Sequence, residues 1–191
     1  MDILKSNLTK VILLGFGAMA LHSCEKEAKD PPILNEEELI TTVQYTLIST
    51  DLSDTAVFEF KDLDGDGGNA PEITSDSLNL SLDYNGTIHF LDESGTEVDT
   101  ITNEVFEEAV EHQVFYSYSP AIVTTSYEDM DPDSNPIGIE TTVSTESVGS
   151  TTLTITLRHQ PDKSASGVKD GVIDNAGGET DVEVNFDLKV Y

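Results

Sequence analysis

The chain reads as a mainly β protein, an antiparallel β-sandwich of about eight strands with one short helix. Three observations predict it. From Ile40 onward, β-branched and aromatic residues alternate with polar ones; Gly, Asp, Asn and Pro separate the alternating runs; and a single stretch exchanges the two-residue period for a helical one. The expected strands cover residues 41–47, 56–60, 78–84, 87–91, 114–118, 137–145, 151–159 and 182–190. In the seventh, Leu153, Ile155 and Leu157 oppose Thr152, Thr154 and Thr156, and in the last Val182, Val184, Phe186 and Leu188 repeat the pattern, so each buries one face. Residues 102–112 place Val105, Phe106, Ala109 and Val110 at helical spacing, with Thr102 or Asn103 suited to cap the start and Glu104 suited to the positive end of the helix dipole. This helix is expected to pack over an end or edge of the sheet.

Ahead of the sandwich, Lys5 and Lys10 precede the apolar run from Val11 to Ala20, which closes on Leu21-His22-Ser23-Cys24 and the only cysteine. A basic start, a short apolar stretch and small residues before a cleavage point describe an export signal, too short to span a bilayer core of about 30 Å. With Leu21 three positions before Cys24 and Ser23 beside it, the stretch resembles the bacterial lipobox. The resemblance implies cleavage after residue 23 and acylation of the Cys24 sulfur and amino group. The organisation is then a lipoprotein signal peptide over 1–23, a lipidated flexible tether over 24–35, charged and proline-ended, and a β-sandwich domain over 36–191. The expected location is the cell outer membrane, lipid-anchored, on either its periplasmic side or the cell surface.

Nine Lys and Arg against 37 Asp and Glu give a formal charge of −28. Such a field repels nucleic acid and anionic lipid, so the expected partners are cations, basic protein surfaces or neutral ligands, and contact with the membrane runs through the lipid. One cysteine leaves no disulfide within the chain, so core packing, bound metal or both must hold an exported domain together.

The strongest local motif is Asp62-Leu63-Asp64-Gly65-Asp66-Gly67-Gly68-Asn69. Alternate carboxylates followed by glycine let a loop curl its oxygens around a hard cation, which makes Asp62, Asp64, Asp66 and Asn69 candidate calcium ligands. The run resembles the first half of an EF-hand loop, but the position of the bidentate glutamate falls on Ile73 and the flanks read as strands. An acidic, glycine-rich hairpin turn that binds nothing fits the same residues. A second acidic loop, residues 128–136, carries Pro132 and Pro136 and is expected to be a solvated turn, while residues 162–181 form a long Gly-, Asp- and Asn-rich connection of the kind that often binds ligands. His159 continues the inward parity of Leu157, and His112 lies on the margin of the helix's apolar stripe. If the helix caps that end of the sheet the two rings meet, and Glu108 adds an oxygen for zinc or another transition metal. Isolated histidines also serve as hydrogen-bonded packing residues. The chain lacks a Gly-x-Ser-x-Gly elbow, a His-Glu-x-x-His pair and a phosphate-cradling loop, and its sole cysteine is assigned to lipid, so no enzyme is expected.

The lipobox, Glu36 to Ile40, Lys61 to Pro71, Glu111 to Tyr116, Leu157 to Ser164 and Asn175 to Asp181 together resemble a family of small acidic lipoproteins of Bacteroidota. Members sometimes carry the label of a type 1 periplasmic-binding fold, which denotes alternating strands and helices in two lobes; the strand runs and single helix here read as a sandwich instead. The resemblance implies a neighbouring TonB-dependent outer-membrane receptor as partner. Two functions are expected from different classes: a lipid-anchored lipoprotein that binds a ligand or metal ion beside such a transporter, and a non-catalytic structural or adhesive envelope module stabilised by calcium.

Overall fold

A computed structural model describes residues 38–65 and 67–191, within a compact unit spanning Glu36–Tyr191. The expected export signal, Cys24, the tether and Asp66 lie outside the described residues. Two sheets face each other. The first has six strands in the order β3-β2-β1-β5-β8-β7, namely β1 (Thr42–Ser49), β2 (Thr55–Lys61), β3 (Glu72–Ser75), β5 (Asp83–Leu91), β7 (Val123–Tyr127) and β8 (Glu140–Thr145). The second has four in the order β4-β10-β9-β6, namely β4 (Ser77–Leu78), β6 (His112–Ser119), β9 (Gly149–His159) and β10 (Glu179–Val190). Every strand pair is antiparallel except β10 with β4. The sandwich read from the alternation is therefore the observed architecture.

The core lies between the sheets. Val43, Tyr45, Leu47, Phe58, Ile88 and Phe90 from one and Leu153, Ile155, Leu157, Val184, Phe186 and Leu188 from the other are fully or almost fully buried, and Tyr45 meets Tyr116 and Phe58 meets Phe186 ring to ring. Two strands escaped the sequence reading because their residues do not alternate apolar with polar: all four residues of β3 are exposed, and β7 is threonine- and serine-rich between its end residues. Residues 137–139 precede β8 instead of belonging to it, and the two strands expected across 78–91 are divided differently, into a short β4 and one long β5. Asn85 and Gly86 suggest a turn, yet the strand runs through them. The Tyr45 hydroxyl and Thr141 Oγ1, hydrogen-bonded at 2.7 Å, occupy the space a Cβ at position 86 would need, so glycine is there for close approach.

The one α-helix among the described residues, α1 (Ile101–Glu107), starts earlier and stops sooner than expected. Thr100 is its N-cap, and the Thr102 hydroxyl is spent on β5, accepting from the Phe90 amide at 2.7 Å and donating to the Phe90 carbonyl at 3.2 Å. Its last turn holds no basic residue, so acidic side chains crowd the negative end of the helix dipole and the chain turns away after Glu107. Val105 and Ala109 are buried, whereas Phe106 and Val110 are exposed. His112 consequently opens β6 rather than lying on a helix. Among the described residues no helix is long and apolar enough to cross a membrane.

The second acidic loop is solvated at Glu128, Met130 and Pro132 to Ser134, but Asp129 and Asp131 turn inward. Asp129 accepts the amides of Gly138, Ile139 and Glu140 at 2.7 to 3.1 Å, and Asp131 accepts those of Asp133 and Asn135. Lys163, 5% exposed, inserts its ammonium here and donates to Asp131 Oδ2 (3.0 Å), the Pro136 carbonyl (3.0 Å) and the Ala109 carbonyl (2.6 Å). All three protons are placed, and three distant segments are pinned together. The long connection after β9 is folded too: two 3-10 turns, Val168–Asp170 and Ile173–Asn175, bring Val168 and Ala176 onto Phe115, and Gln113 Nε2 donates to the Val168 carbonyl at 2.9 Å.

Candidate metal centre

His112 and His159 form a cross-strand pair, the first residue of β6 against the last of β9, both on the inward face. Their rings stack with centroids 4.9 Å apart and planes 18° from parallel. The meeting expected of these two histidines is thus realised, but through strand register, not through a helix. Because imidazole lone pairs lie in the ring plane, near-parallel stacked rings direct them along separate planes. His159 Nε2 faces Glu111 Oε2 at 3.7 Å, and the groups gathered around His112 are different ones.

His112 is completely buried. Its Nδ1 lies 3.3 Å from the Glu108 backbone oxygen, an atom that only accepts, so Nδ1 carries the proton. Burial, outweighing the attraction of Glu38, holds its pKa below that of an ordinary histidine and so favours the neutral ring. Nε2 therefore presents a lone pair. Among the described residues that buried atom has no hydrogen bond, and it faces Glu38 Oε2 at 3.6 Å and Asp181 Oδ2 at 3.9 Å. The three donor atoms lie within 4.8 Å of one another, and among the described residues this is the one place where three His, Cys, Asp or Glu side chains converge.

Asp181 reaches this point because β10 carries a bulge. Thr180 pairs with Arg158 and Val182 with Leu157, leaving Asp181 as an extra residue in the ladder. Strict alternation would send its side chain outward with Glu183, whereas the bulge turns it inward, where it is 1% exposed. Glu38 comes from the segment ahead of β1, with a side chain 10% exposed. Glu108 contributes its backbone oxygen to the ring's orientation, which is the outer-sphere contact that fixes the tautomer of a metal-binding histidine.

A divalent cation placed among the two carboxylates and the lone pair would attract all three donors and outweigh their mutual repulsion. The donor set fits such an ion. Around zinc, with bonds of about 2.0 Å, tetrahedral ligand atoms lie about 3.3 Å apart, so a small rotation of either carboxylate completes the approach.

The expected calcium loop lies elsewhere, with Asp66 outside the described residues. It connects β2 to β3, where Asp62 accepts the Gly65 amide at 3.0 Å, and Asp64 accepts both the backbone and the side-chain amide of Asn69. These bonds hold the Asp64 carboxyl below its usual range. Asp64 and Asn69 thus bond each other. A cleft of ≈ 570 Å³ runs from Asp62 and Asp64 past Phe60 and Ile40 to the backbone at Asp181.

Sequence reasoning missed Glu38, Asp181 and Lys163. Glu38 is one of three consecutive glutamates, and Asp181 stands beside the start of an alternating run whose parity argues against an inward side chain. No family model, no curated protein and no solved structure matches this chain.

Proposed function

We propose that this chain is a lipid-anchored, non-catalytic binding module of the cell envelope that holds a divalent transition metal of the zinc class through Glu38, His112 and Asp181. The observation that carries the reading is the buried His112 Nε2, with its lone pair facing two carboxylates and its tautomer fixed from behind by a backbone carbonyl. One imidazole and two carboxylates suit zinc, nickel or copper; calcium prefers six to eight oxygens and gains little from a nitrogen. The anchor is Cys24, and an accessory role beside a TonB-dependent transporter belongs to the same reading.

Native mass spectrometry of the protein, with zinc and then with chelator, tests it. One zinc per chain is expected, together with a melting temperature that rises with free zinc and falls when the chelator removes it. An unchanged mass and melting temperature at saturating zinc would overturn the assignment.

A further inference from the structure

We infer that metal binding at this site also fastens the segment Glu38 to Ile40 to the sandwich, so that the site is a clasp between the body of the domain and the chain that leads into it. The inference rests on the metal reading above. Two of the three donors, His112 and Asp181, belong to strands of the four-stranded sheet, whereas Glu38 precedes β1 and lies in no strand. Among the described residues, the first backbone bonds of this region are from the Thr41 amide to the Leu91 carbonyl at 3.0 Å and from the Asp62 amide to the Thr41 carbonyl at 2.8 Å; none engages Glu38, Leu39 or Ile40. Leu39 is 59% exposed, and Ile40 packs only partly against the core.

Among the described residues, the apolar contact of Ile40 and the approach of the Glu38 carboxylate to His112 and Asp181 are what hold this segment. A divalent ion held by all three donors ties this arm to the two strands. The strands supplying the other two donors are paired on both sides of the bulge at Asp181 and along β6, so the arm is the part that yields.

Hydrogen exchange read by mass spectrometry on the full chain tests the clasp, with native mass spectra recorded on the same samples. Saturating zinc is expected to slow exchange at Leu39 and Ile40 by about tenfold or more, while amides in the centre of β9 change little. Glu38→Gln is expected to keep binding zinc, more weakly, through His112 and Asp181, and at saturating zinc to show no protection at Leu39 and Ile40. If the wild-type chain binds one zinc and exchange at these amides stays the same, or if Glu38→Gln is protected as fully as wild type, the clasp is wrong and the metal site stands. If no zinc binds, both fall together.

Discussion

Two clusters of buried acid sit near the turn that follows α1, and they are neutralised in opposite ways. At Asp131 the chain supplies its own cation: Lys163 lies 3.0 Å from the carboxylate and fills its remaining valences with two carbonyls. Burial works against ionisation of Asp131, yet the Asn135 amide and the Lys163 ammonium together hold its carboxyl below the usual range. Burial likewise pulls Lys163 below an ordinary lysine, with Asp131 opposing. At Glu38 and Asp181 the group between the carboxylates is an imidazole whose pKa is held down by burial, and in the proposed function a bound cation supplies the positive charge. The difference separates a structural rivet from the receptor proposed above, although both are acids in the interior.

The largest effect expected from this contrast is on the rivet. Lys163→Met leaves a buried carboxylate and two carbonyls without their donor and should cost about 3–5 kcal/mol in urea unfolding, whether or not zinc is present. A loss under about 1 kcal/mol would show that the ammonium is not what holds the three segments together. The receptor should behave otherwise: wild type gains about 2.7 kcal/mol of stability at free zinc one hundred times its dissociation constant, and His112→Ala gains none. Zinc stabilisation equal in the two proteins would erase the distinction.

Acid titration sharpens the comparison further. The folded pKa of Asp131 is depressed below the ordinary 3.8, so its contribution to stability is complete above that value and is lost as pH falls through the lower, folded one. Unfolding free energy measured from pH 5 downward should decline through this window, and Asp131→Asn should flatten that part of the decline. The smallest effect is expected at the exposed loop: Asp64→Asn should leave both the urea midpoint and the zinc mass shift as they are, because Asp64 bonds to Asn69 in water-accessible surroundings.

Much of the fold was legible because alternation is a local signal. β9 and β10 show it without interruption over their apolar cores, and the parity that buries Leu157 also predicted a buried His159. That His112 faces it follows from the same parity once β6 pairs with β9, even though the helix was expected to do the placing. The rest depends on contacts that no local period encodes. Lys163 finds Asp131 across a loop, Glu38 finds His112 across both sheets, and Asp181 is turned by an irregularity that the surrounding apolar pattern conceals. Asp62 and Asp64 drew notice through spacing, and spacing alone does not reveal the amides they accept from Gly65 and Asn69.

The irregularity in β10 has an evolutionary corollary. Removing one residue between Thr180 and Val182 would rejoin the ladder, keep Val184, Phe186 and Leu188 facing the interior, and eliminate the carboxylate from the centre. A lineage could therefore silence or acquire this third donor by a single codon gained or lost, while the apolar scaffold beneath stayed the same.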